Sequence, residues 1–109
     1  MKIYISGPIK GTTDYEARFQ AAADSLKREG LIPIDPVKIV REHPDSCAWS
    51  DAECLAYEIG LLSECDAIWL MHGWKDSGGA IAEAAFASRV GIVLLDEDDP
   101  DADTEGGNV

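Results

Sequence analysis

The feature that most constrains this fold is a run of five apolar residues, Ala67 to Met71 (AIWLM), followed by a glycine-rich segment, Gly73-Trp-Lys-Asp-Ser-Gly-Gly-Ala-Ile-Ala-Glu83, and an alanine-rich stretch. An unbroken apolar run of strand length fits a strand covered on both faces, the environment of a parallel sheet. The sequence after it predicts a loop, a helix from about Gly78 to Arg89 and a last strand over Gly91 to Leu95. A helix start leaves backbone N–H groups without intrahelical partners, and these favour an anion such as a phosphate. Glu83 puts one carboxylate just inside that helix.

The same alternation runs through the rest of the chain. Lys2 to Ser6 (KIYIS) reads as a buried strand stopped by Gly7-Pro8. From Thr13 to Glu29, the positions of Phe19, Ala22, Ala23 and Leu26 have helical spacing, with Thr13 or Asp14 as cap and Gly30 as stop. Leu31 to Ile34, interrupted by Pro33, predicts a short edge strand. Asp35 to Trp49 shows no period and is expected to be a loop with one helical turn near Val37 to Glu42. Ser50 and Glu53 form a capping box, and Leu55, Ile59 and Leu62 mark the inward face of a helix reaching about Glu64. Strands alternating with helices predict a parallel sheet with right-handed crossovers and a ligand site beyond the carboxyl ends of the strands. Both glycine segments, 7–11 and 73–79, fall at that edge.

Charge narrows the partners. The net charge is −12, and seven acids from Asp96 to Glu105 leave fourteen acids against nine bases in the rest. One domain over 1–95 and an acidic, disordered tail over 96–109 are expected. An acidic body argues against a nucleic acid polymer, because backbone binding needs a basic surface. The odd set Cys47, Cys54 and Cys65 matches no zinc pattern, and His43 and His72 have no partner at metal-ligand spacing, so no metal is expected. No signal peptide or membrane-spanning run is apparent, so the expectation is a cytoplasmic protein, of a bacterium or a phage-infected host cell, with no membrane partner.

The segments YISGPIKG at 4–11 and GWKDSGGAIAE at 73–83, with the spacing from Glu58 to Asp66, resemble the nucleoside 2-deoxyribosyltransferase-like superfamily, especially a small phage and bacterial branch. The similarity covers roughly residues 2 to 95 and includes motifs similar to those of nucleoside 5′-monophosphate N-glycosidases. It implies a three-layer, Rossmann-like (flavodoxin-like) parallel sheet of four to five strands flanked by helices. It also implies a nucleotide or nucleoside ligand, no cofactor, and a homodimer or higher homo-oligomer whose sites draw on neighbouring subunits.

By that resemblance Glu83 is a nucleophile on C1′ of the sugar, a role suited to retaining glycosyl transfer. Read locally, it is an acid stabilised by the helix macrodipole. Ser77 stands where the nucleoside transferases carry an aspartate for the 5′-hydroxyl and the monophosphate enzymes a serine; with Gly78 and Gly79 it resembles a 5′-phosphate cradle, or it is simply a helix cap. Lys10 occupies the place of an arginine of those enzymes, or faces solvent. Ser6, Gly7 and Ile9 would shape the site with Gly11, Gly73 and the aromatic Tyr4, while Pro8 replaces a serine. Glu58 replaces the usual aspartate near the sugar, with Tyr57 beside it as another pocket candidate, and Asp66 is structural. Trp49 and Trp74 are loop aromatics that could stack on a base.

Two functions follow. The first is an enzyme that cleaves or exchanges the N-glycosidic bond of a nucleoside 5′-monophosphate, with Glu83 and Glu58 as its carboxylates. The second is a non-catalytic phage protein that sequesters a nucleotide, such as a cyclic ADP-ribose-like immune signal.

Overall fold

The computed structural model describes residues 1–99. The strands β1 (Lys2–Ser6), β2 (Ile32–Ile34), β3 (Ala67–Leu70) and β4 (Val93–Asp96) form one sheet in the order β2-β1-β3-β4, and every pair is parallel. The helices are α1 (Tyr15–Arg28), α2 (Pro36–Glu42), α3 (Asp51–Leu62) and α4 (Gly78–Val90). β2, expected as an edge strand, is one; its neighbour β1 is central. The expected boundary of the disordered tail at residue 96 is too early, since Asp96 closes β4 and Glu97 N–H donates to Leu70 O at 2.9 Å. Residues 100–109 of that tail lie outside the described residues.

Two apolar layers flank the sheet because strand side chains alternate with period two. Ile3 and Ile5 of β1 and Ala67 and Met71 of the β3 segment pack on Phe19, Ala23 and Leu26 of α1. Tyr4 of β1 and Ile68 and Leu70 of β3 face Leu62, Ala84 and Ala87 of α3 and α4. Each large side chain buried in this way contributes about 1.5–3 kcal/mol. Trp69, expected in the core, is only partly buried and packs at the margin of the α1 layer.

The helix ends follow local chemistry. In α3, Ser50 Oγ accepts from Glu53 N–H and Glu53 Oε1 accepts from Ser50 N–H, completing the capping box. Gly91 at φ 86° ends α4, which is why β4 starts at Val93 and not at Gly91. Asp14 stands at the cap position of α1, yet its carboxylate accepts from Arg18 Nε and makes no cap bond.

One expectation fell short. The segment after β2 holds a seven-residue helix, α2, and a 3-10 turn at Ser46–Ala48, not a loop with a single helical turn. Asp35 Oδ1 accepts from Lys38 N–H and Pro36 opens the helix, a start signal that a reading of Pro36 as a breaker hides. His43, Trp49 and Tyr57 stack edge and face, with centroids 4.6 to 5.3 Å apart, and fasten this segment to α3.

Candidate active site

The order β2-β1-β3-β4 reverses direction between β1 and β3, and ligands in such sheets sit at that switch point. A cleft of about 560 Å³ opens there. One wall is Gly7, Pro8, Ile9 and Lys10 after β1; another is Ser77, Gly78 and Gly79 at the start of α4; Glu58 looks in from α3. Ser6 and Glu83 form its floor.

Glu83 is 5% exposed. Tyr4 Oη donates to its Oε2 and Ser6 Oγ to its Oε1, both at 2.6 Å. Tyr4 and Ser6 are two residues apart on β1, so the pleat turns both toward α4. Tyr4 therefore lies behind the carboxylate and does not line the cleft. Burial, followed by the Glu83 charge, drives the Tyr4 phenol well above its ordinary range, so it remains a neutral donor.

Burial first, then the nearby Glu83 carboxylate, raise Glu58 to about 7. Glu83 is also raised by burial, against the opposing effect of the bonds from Ser6 and Tyr4. Both acids are thus held above the ordinary carboxylate range, as two like charges in one desolvated site require.

At the helix start, Ser77 Oγ accepts from Ala80 N–H at 3.3 Å, so the residue is the N-cap of α4. Its own hydroxyl hydrogen stays available to donate into the cleft, and Gly78 and Gly79 carry first-turn N–H groups that a helix leaves without intrahelical acceptors. Lys10 Nζ pairs with Asp51 Oδ2 at 3.1 Å. Gly7 is needed for close packing, because a Cβ there would meet Met71 Cε at 2.8 Å.

Besides Tyr4, other expected site residues stand outside the cleft. Gly11 makes an exposed turn at φ 81°. Gly73, at φ 84°, lies against Pro8 and faces a separate groove of about 730 Å³ between α1 and the β3–β4 side of the sheet. Trp74 turns away to donate Nε1–H to Asp96 Oδ2 at 3.1 Å, with Lys75 over its ring. Tyr57 is held in the stack with His43 and Trp49, which removes Trp49 as well. Asp66 has the structural role expected of it: its Oδ2 accepts from Lys2 N–H at 2.7 Å and its own N–H donates to Lys2 O.

Sequence reasoning missed Asp51, Cys54 and Leu55 on α3, and Asp76 before α4, all of which line the cleft. The spacing Asp51, Cys54 or Leu55, Glu58 is one helix face and would have found the first three. Among the described residues no group of three or more His, Cys, Asp or Glu is arranged to hold a metal ion, and no helix is long and apolar enough to cross a membrane.

A family model described as "Domain of unknown function (DUF4406)" matches residues 1–96. Among solved structures, a 2-desoxiribosyltransferase from Leishmania mexicana is similar at 25% identity, with a TM-score of 0.65 over 87% of this chain. The chain spans 62% of the length of that protein. No curated protein matches.

Proposed function

The chain belongs to the DUF4406 family, and from that premise we propose that it binds a nucleoside 5′-monophosphate and acts on its N-glycosidic bond with Glu83 as nucleophile. The observation that carries this reading is the Glu83 carboxylate, buried on the floor of the cleft, aimed by Tyr4 and Ser6 and adjoined by a second acid. The likeness to a 2-desoxiribosyltransferase supports it.

One Glu83 oxygen attacks C1′, and the bond from C1′ to the base nitrogen breaks with its electron pair leaving on the base. Each oxygen accepts one bond from Tyr4 or Ser6, which leaves lone-pair capacity for the attack. Glu58, which lines the same cleft and is raised to about 7, supplies the proton to the departing base. Water or a second base then takes the sugar from Glu83, giving hydrolysis or exchange. The phosphate sits on the α4 start, with Ser77, Gly78, Gly79 and Lys10 around it. Part of this reading is a homodimer or higher homo-oligomer that completes the site, which light scattering on the purified protein tests.

The test is incubation with a panel of ribo- and deoxynucleoside 5′-monophosphates. Release of free base by the natural chain, and its loss in Glu83→Gln with folding retained, is the expected result; no release from any substrate at high protein concentration sinks it.

A second reading, a protein that holds a nucleotide such as a cyclic ADP-ribose-like signal without turnover, is favoured by one observation. Tyr4 and Ser6 each donate to one oxygen of Glu83, and each bond lowers its basicity. Recovery of an intact nucleotide from the denatured protein supports this reading, and recovery of base plus sugar phosphate rules it out.

A further inference from the structure

Among the described residues that line the cleft, Lys10 is the one basic side chain, and it already has an anionic partner. Its Nζ lies 3.1 Å from Oδ2 of Asp51. The two groups come from opposite walls: Lys10 from the segment after β1, Asp51 from the first residue of α3. Their side chains are 88% and 91% exposed, which puts the pair in water at the mouth of the cleft. A pair in that setting is weak, and a more highly charged anion displaces it. Asp51 is itself favoured where it stands, in the first turn of α3 beside the positive end of the helix. The other ionisable side chains on the walls that carry chemistry, Glu58, Glu83 and Asp76, are acids, so no second cation compensates.

We propose that Asp51 is a specificity-determining residue, setting how strongly the cleft discriminates a 5′-phosphorylated nucleoside from the nucleoside itself. The inference rests on the nucleotide reading of the same cleft and concerns a residue to which that reading gives no role. Asp51 acts as an internal competitor for Lys10. A 5′-phosphate seated on the first turn of α4 takes Lys10 from Asp51. An uncharged nucleoside leaves the pair intact. Asp51 therefore lowers nucleotide affinity selectively, and it does so through Lys10.

Equilibrium binding by titration calorimetry tests this with the 5′-monophosphates of adenosine, guanosine, cytidine and uridine, their deoxy forms, and the matching nucleosides. In Asp51→Asn, which keeps the size of the side chain, the ratio of nucleotide to nucleoside affinity is expected to rise by about 1.5- to fivefold, the range set by an exposed ion pair. In Asp51→Asn combined with Lys10→Met the ratio is expected to show no rise over Lys10→Met alone. An unmoved ratio in Asp51→Asn, or an equal rise without Lys10, overturns the proposal. Base release is scored separately on the same panel. A ratio that moves as expected while the natural chain releases no base removes the glycosidic chemistry and leaves the role of Asp51. Failure of all four proteins to bind any member of the panel overturns both.

Discussion

The hydroxyl of Tyr4 and the carboxylate of Glu83 are 79 residues apart in the chain and 2.6 Å apart in the fold. This contact joins the first strand to the last helix and gives a buried acid a donor that stays neutral. Removing it in Tyr4→Phe leaves a buried carboxylate oxygen without its partner, which costs about 1–3 kcal/mol. Chemical denaturation is expected to show that loss, and any base release is expected to fall with it.

The pH dependence of stability has a definite sign. Glu58 is raised to about 7 in the fold from an ordinary value of 4.5, so the folded state holds its proton where the unfolded chain has released it. Stability from this source is full below about pH 4.5 and is lost as pH rises through about 7. The melting temperature is expected to fall between pH 5 and pH 8, and Glu58→Gln, whose amide donates without titrating, is expected to flatten that slope. A slope that survives the substitution assigns the effect elsewhere.

Gly7 is fixed by contact and not by backbone angle. An added Cβ would meet Met71 Cε at 2.8 Å and Met71 Cβ at 3.0 Å, the second of which has little room to give. Gly7→Ala is expected to destabilise by about 1–3 kcal/mol, as overpacking does. Met71→Ala removes the Cε contact and keeps the Cβ one, so the double variant should cost less than the two single changes added together but more than Met71→Ala alone, measured by urea midpoints.

Ser77 combines two roles that substitution can separate. Ser77→Asp keeps a good cap for α4 but sets a negative charge where the phosphate is proposed to sit, so stability should hold while monophosphate binding falls. Ser77→Ala should lose about 1 kcal/mol of stability through the cap. Equal effects of the two changes on binding would show that charge at this position is immaterial.

Much of the architecture could be read from short stretches. The apolar run of β3, the capping box at Ser50 and the glycine stop of α1 each depend on residues within a few positions of one another. The glycine segments could likewise be assigned to one edge of a parallel sheet. α2 was also legible, in Asp35-Pro36, once Pro36 is read as a helix opener.

The sequence alone determined the order of the strands and of the three longer helices, the capping box at Ser50, and the identity of Glu83, Glu58, Ser77 and Lys10 as candidates. Only the tertiary structure decided that Tyr4 stands behind Glu83 as a donor, that Glu58 is raised by burial beside it, that Asp51 holds Lys10, and that Trp74 and Tyr57 face elsewhere. The reason is physical. Caps and helix or strand periods are satisfied by bonds between near neighbours, whereas a side chain's partner across the sheet depends on which strands pair and in what register.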